Sequence, residues 1–297
     1  MGVDRLCFGT STFVAGRLRP EKESEPGMAA LHAAVSAGVR LVHSNPKLGT
    51  QWAVRRVLDS ASTADVSHLV KAEVPLGADL ATMRSRIMLA IEESCTNLGV
   101  DQLRAVTVEI DLKRTQDQAL LVNSQAVMEF YANAAEVVRG SGRVSQVIAY
   151  CHSPAHLAAA SLAEDVHGVA AQYNVAEPWP ALFLDDIERR GLQFVGMSPL
   201  RRGTLAAHPS GAADLTPLRW VVTEPRISSV VITMSSPRHL RQVIKAVRSP
   251  LEAPSVHELA SAWLNAQHRH ASPEGTGWSP ADRLLSSYLP AQEDPRD

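Results

Sequence analysis

The sequence predicts an α/β protein built as a (β/α)8 TIM barrel, and two observations carry that prediction. Eight short apolar runs recur along the 297 residues, and amphipathic segments of helical period lie between them. No glycine-rich G-x-G-x-x-G joins a strand to a helix, so a doubly wound dinucleotide-binding sheet lacks its main signature. Alternation of this kind implies parallel strands joined by helical crossovers.

In order, the strand candidates are RLCFG at 5–9, VRLVHS at 39–44, HLVKAEV at 68–74, RAVTVEI at 104–110, VSQVIAY at 144–150, HGVAAQY at 167–173, LQFVGMS at 192–198 and SSVVIT at 228–233. The segments Met28–Ala37, Leu80–Leu98, Gln118–Arg139, Pro154–Ala163, Ala181–Arg190 and Pro237–Val247 carry apolar residues at three- and four-residue spacing, the mark of a helix with one buried face. Gly38, Gly99, Gly140 and Gly191 stand where these helices should end, because glycine takes a left-handed cap at least cost.

The segment Val256–Arg269 reads as a further helix, and a tail rich in Ser, Pro and Gly follows from Ala271 to Asp297. We therefore expect a single barrel domain over 1–270 and a tail over 271–297 that reads as a loosely ordered end, with folding over the barrel mouth through Trp278 and Tyr288 as the alternative.

Composition narrows the function classes. With 45% hydrophobic and 20% charged residues the chain can bury a sizeable core. Its net charge of −2 creates no field that would gather nucleic acid or anionic lipid, so a small-molecule partner is expected. The oligomeric state is not legible. Cys7, Cys95 and Cys151 are far apart, with neither a CxxC pair nor zinc-ligand spacing, and read as reduced thiols. No signal-like or membrane-length apolar run occurs, so the expected location is the cytoplasm and no membrane partner is expected.

Local patterns then add a resemblance. Phe8-Gly9-Thr10, Ala37-Gly38-Val39-Arg40, Asn97-Leu98-Gly99-Val100-Asp101, Ser198-Pro199-Leu200 with Gly203, and Leu218-Arg219-Trp220-Val221 appear in the order in which aldo-keto reductases carry them, with Gln172-Tyr173-Asn174 as a weaker match. The chain resembles that family over roughly residues 5–247. The resemblance implies a (β/α)8 barrel whose mouth holds an Asp, Tyr, Lys and His, the Tyr acting as general acid while NADPH gives a hydride.

At those positions the sequence departs from the family. The stretch His43-Ser44-Asn45-Pro46-Lys47-Leu48-Gly49 places His43 where the resemblance has Asp and Leu48 where it has Tyr, and leucine cannot donate a proton. The family lysine falls on Glu73, or on Lys71 if the alignment slips by two residues; both point inward by strand parity. The family histidine falls on Glu109. Contacts to nicotinamide fall on Tyr150-Cys151, Ala170 and Met197, and the basic residue for a 2′-phosphate falls on Ser235, with Arg238 and Arg241 nearby.

The resulting expectation is a hydride-transfer site taken apart and replaced by an acid/base set of Glu109, Glu73, His43 and Lys71. Its leading reading is a lyase or dehydratase, isomerase or cyclase of small-molecule, including secondary, metabolism, with no cofactor; NADP is not expected, and neither is a metal. Lys47, Leu48, Tyr150, His152, Trp179, Met197, Arg201 and Arg202 are the substrate-binding candidates; Lys47, Arg201 and Arg202 are read alternatively as solvated, His152 as a loop residue with a local hydrogen bond, and Trp179 as a packing residue. Two further readings stay open: a non-catalytic binding or scaffold protein closed by an ion pair from Lys71 to Glu109 or Glu73, and an NADPH-dependent oxidoreductase using Lys71 or Tyr150 in a rearranged site.

Overall fold

The computed structural model describes residues 2–11, 25–61, 65–206 and 215–249. The helix expected at Val256–Arg269 and the tail over 271–297 lie outside the described residues.

The strands are β1 (Leu6–Gly9), β2 (Leu41–Ser44), β3 (Ser67–Val74), β4 (Leu103–Ile110), β5 (Val144–Cys151), β6 (Gly168–Gln172), β7 (Gln193–Met197) and β8 (Ser229–Thr233). All pair in parallel with their sequence neighbours, and β8 returns to β1, so the sheet closes into an eight-stranded barrel. Around it run α1 (Glu25–Ser36), α2 (Gln51–Ala61), α3 (Leu80–Leu98), α4 (Ser124–Gly140), α5 (Pro154–Leu162), α6 (Leu184–Arg189), α7 (Thr216–Thr223) and α8 (Pro237–Val247). This is the expected (β/α)8 architecture.

Helix limits follow from local chemistry. The α3 helix starts where the Asp79 side chain accepts from the Thr82 amide and ends at Gly99, whose φ of 69° only glycine adopts cheaply. Its buried residues Met83, Ile87, Ala90, Ile91, Ser94, Cys95 and Leu98 recur at three and four, which lays one face on the barrel. Ser153 before Pro154 and Ser236 before Pro237 start α5 and α8 in the same way, a capping hydroxyl followed by a proline that needs no amide partner.

Two differences from expectation have simple causes. Gly140 lies inside α4, and the left-handed residue is Gly142, because the chain adds one more turn through Ser141 before it reverses. The α2 helix escapes an apolar search because Gln51, polar but 1% exposed, faces inward to donate to Ser44 Oγ at 3.0 Å and Ser94 Oγ at 2.9 Å.

Strand parity separates two apolar bodies. Outward residues such as Val42, Val70, Val106, Val108, Val169, Phe194 and Val230 pack against the helices in the large core. Inward residues Cys7, Leu69, Ala105, Ile148, Ala170, Val195, Met197 and Val231 form a small separate core inside the barrel. Phe194, fully buried, meets Tyr173 edge to face with centroids 5.8 Å apart. We expect Phe194→Ala to cost about 3–5 kcal/mol through lost burial and a cavity, read as a lower urea midpoint with an unchanged slope.

Candidate active site at the C-terminal end of the barrel

Above the inner apolar core, at the C-terminal ends of the strands, the inward positions turn polar. The register sets Glu73 beside Glu109 and Glu109 beside Tyr150, with Lys71 beside Thr107 one inward position below. Lys71 is the hinge of the set: its ammonium is in direct ion-pair contact with Glu109 and lies 3.6 Å from Glu73 Oε1. Lys47, from the 3-10 turn Pro46–Leu48, reaches Glu73 Oε2 at 2.5 Å, and His152 Nε2 lies 3.2 Å from Glu109 Oε1. A chain of alternating charge thus runs Lys47, Glu73, Lys71, Glu109 and ends on His152.

Lys71 and Glu73 both point into the barrel, Glu73 at the upper level and Lys71 below it, and they contact each other. His43 does not join the glutamates. It stands on β2 with no hydrogen-bond partner on a buried Nε2, and burial followed by the Lys71 charge lowers its pKa to about 4.

Burial pushes the Lys71 ammonium down from its ordinary value, and Glu73 opposes that shift by charge and hydrogen bond. Burial raises Glu73, but the Lys47 hydrogen bond, the Lys71 and Lys47 charges and the Asn45 amide, which donates to Oε1 at 3.0 Å, outweigh it and hold the carboxylate below its usual range. His152 is lowered by burial first; its bond to the Ile110 carbonyl, 3.3 Å away, partly offsets this. It is therefore a neutral ring near pH 7.

Tyr150 packs into this polar layer. The Lys71 ammonium lies 5.4 Å from its ring centre and the His152 ring 5.0 Å away. Burial raises its phenol to about 12 against a hydrogen bond with Gln172, so the hydroxyl keeps its proton. Met197 belongs to the inner core, 4% exposed, and Leu48 sits half-buried on the turn beside Lys47.

Trp179 does not line the mouth: it is buried in the outer core, with Phe183 edge-on at 6.3 Å. Arg201 and Arg202 are exposed on the loop after β7, and Arg201 Nε is 3.7 Å from Glu177. That loop holds Ser198, Arg201 and Arg202 at positive φ, a conformation costing of order 1–3 kcal/mol per residue and concentrated where backbones are shaped around ligands.

The sequence reading missed Asn45, Gln172 and His156. His156 Nε2 bonds the Leu121 carbonyl at 3.0 Å, and its ring sits 6.1 Å from that of His152. Asn45 carried a legible signal, since an Asn before Pro-Lys reads as a cap, and its carbonyl oxygen indeed accepts from the Lys47 amide. Among the described residues no group of three or more His, Cys, Asp or Glu is arranged to hold a metal. No helix among them is long and apolar enough to cross a membrane.

No sequence-family model matches the chain, and no curated protein matches it in sequence. Solved structures do match. A thermostable aldo-keto reductase, Tm1743, in complex with the inhibitor epalrestat, is 18% identical over 86% of this chain and 94% of its own, with a TM-score of 0.66. An aldo-keto reductase from Klebsiella pneumoniae in complex with NADP and acetate is 16% identical over 92% and 93%, with a TM-score of 0.65. The holo form of aldo-keto reductase AKR11C1 from Bacillus halodurans is 14% identical over 88% and 91%, with a TM-score of 0.62. The chain has the aldo-keto reductase fold.

These findings correct two expectations. The reading of a non-redox lyase, isomerase or cyclase is set aside, because each of these structural neighbours is an oxidoreductase. The expectation that no nicotinamide cofactor is used is set aside with it, because a neighbour of this fold holds NADP. Titratable residues at a barrel mouth are as compatible with hydride chemistry as with proton transfer alone.

The buried imidazoles give the structure an acid limit. His43, His68 and His156 have folded pKa values of about 4, below the 6.5 of a free ring, so the unfolded chain binds more protons between those values. Their contribution is present above pH 6.5 and is lost as pH falls toward 4. We expect the urea midpoint to fall across that window, and His43→Asn to remove on the order of 2–3 kcal/mol of the pH-dependent part.

Proposed function

We propose that this protein is an NADPH-dependent oxidoreductase of carbonyl compounds whose proton donor is Tyr150, at the end of β5. The observation that carries the reading is the Tyr150 hydroxyl, kept protonated in the mouth of an aldo-keto reductase barrel, with Lys71 over its ring.

The residues present fit a nicotinamide nucleotide. Buried polar atoms without partners, His43 Nε2 and Thr107 Oγ1, lie in the barrel interior and are available to a bound polar group. Arg201 and Arg202, on the loop of positive φ, would hold the phosphates. When bound, the cofactor supplies a hydride to the carbonyl carbon.

The chain's own residues supply the rest. Tyr150 gives its proton to the carbonyl oxygen, and the Lys71 ammonium stabilises the phenolate left behind. Gln172 holds the phenol in position. Glu73 and Glu109 keep Lys71 charged against desolvation, and Lys47 and His152 close the outer ends of the network.

Titration with NADPH, followed by quenching of the five tryptophans, should saturate, and the chain should turn over some member of a panel of aldehydes and ketones. Tyr150→Phe should keep NADPH affinity while kcat falls about 10²- to 10⁴-fold. Unchanged kcat in that variant would place the acid elsewhere, and the absence of saturable NADPH binding would remove the reading.

A second reading has its own observation. The ion chain from Lys47 to His152 ties the strand ends at the mouth to one another, which suits a non-catalytic binding or scaffold protein. On that reading NADPH does not bind, and replacing Lys71 and Glu109 together by apolar residues leaves stability equal or higher.

A further inference from the structure

We infer that the N-terminal end of the barrel, opposite the mouth, holds a second small-molecule site that takes an amphipathic carboxylate, its apolar tail inside the barrel and its carboxylate on Arg104. The site does not depend on the redox reading above.

A cavity of about 310 Å³ opens at this end, within the size range of small-ligand pockets. Its floor is the lower part of the inner core: Leu69, Ala105, Ile148 and Val195. Ala105 at this level is short and leaves room above the floor.

The rim supplies the charge. Arg5, Arg40, Arg104, Arg143 and Arg226 all stand at or just before the N-terminal ends of strands. Arg5 bonds the Glu224 and Pro225 carbonyls, Arg40 those of Val35 and Val39, Arg143 that of Asp101, and Arg226 the carboxylates of Glu224 and Asp185. Arg104 lines the cavity and has no ion-pair or hydrogen-bond partner among the described residues. The Gln146 and Gln193 side-chain amides, half-buried on the same rim, also have none. One free guanidinium fork matches one planar carboxylate, two amides complete its hydrogen bonding, and an apolar floor takes a tail rather than a second charge.

Sodium octanoate, titrated into the full chain in a calorimeter with 1-octanol as the neutral comparison, tests this. We expect one saturable site for octanoate and markedly weaker binding of octanol. Arg104→Gln, an exposed change, should weaken octanoate at least about tenfold, the worth of a charge-assisted hydrogen bond. Ala105→Leu should fill the floor and abolish binding, with circular dichroism reporting whether it folds; if it does not fold, Arg104→Gln decides alone. Failure of octanoate to saturate at millimolar concentration overturns the inference. So does affinity unchanged by Arg104→Gln, equal affinity for octanol, or loss of binding through Lys71→Met at the other end of the barrel.

Discussion

A lysine ammonium drawn into a barrel interior must find counter-charge or lose its proton, and the mouth of this molecule is arranged around that requirement at Lys71. Desolvation works against its charge, and it is met by Glu109 in direct contact and by Glu73 at 3.6 Å. Two carboxylates against one ammonium leave an excess of negative charge. Lys47 neutralises it at 2.5 Å from Glu73, and the Asn45 amide adds a dipole. His152, kept neutral by burial, approaches Glu109 without adding a charge. Removing Lys71 leaves the Glu109 carboxylate beside a neutral His152 alone, so the middle of the set depends on that ammonium.

The same network surrounds the phenol at the end of β5. Tyr150 is the lateral neighbour of Glu109 in the register, which brings its ring against the Lys71 ammonium. Burial keeps the proton on the Tyr150 oxygen. Tyr131 beneath it is fully buried and donates its hydroxyl to the Tyr150 carbonyl at 2.6 Å.

Most of the architecture was legible because buried parallel strands read as short continuous apolar runs. Every expected run from 5–9 to 228–233 overlaps an observed strand, and α3 and α8 match residue for residue. Helix α2 was hidden by an inward glutamine, and the turn after α4 by a glycine two positions beyond the one expected. At the mouth, parity alone brought Lys71, Glu73 and Glu109 inward. It could not show that His43 stands apart from the glutamates, nor that His152 meets Glu109 across two strands. Such pairings depend on barrel closure and on where loops return, which a local pattern does not encode. Trp179, a substrate-binding candidate with packing as its alternative, lies on a 3-10 turn that buries the indole in the outer core.

The separation of that outer core from the small inner one bears on how such a chain changes over generations. Most of the buried apolar residues sit between strands and helices, and the handful inside the barrel form a body of their own. Substitutions at the inner ends of the strands therefore draw on a separate reserve of packing from the one that holds the helices in place. The residues at either opening can therefore change without disturbing the packing that holds the helices to the sheet.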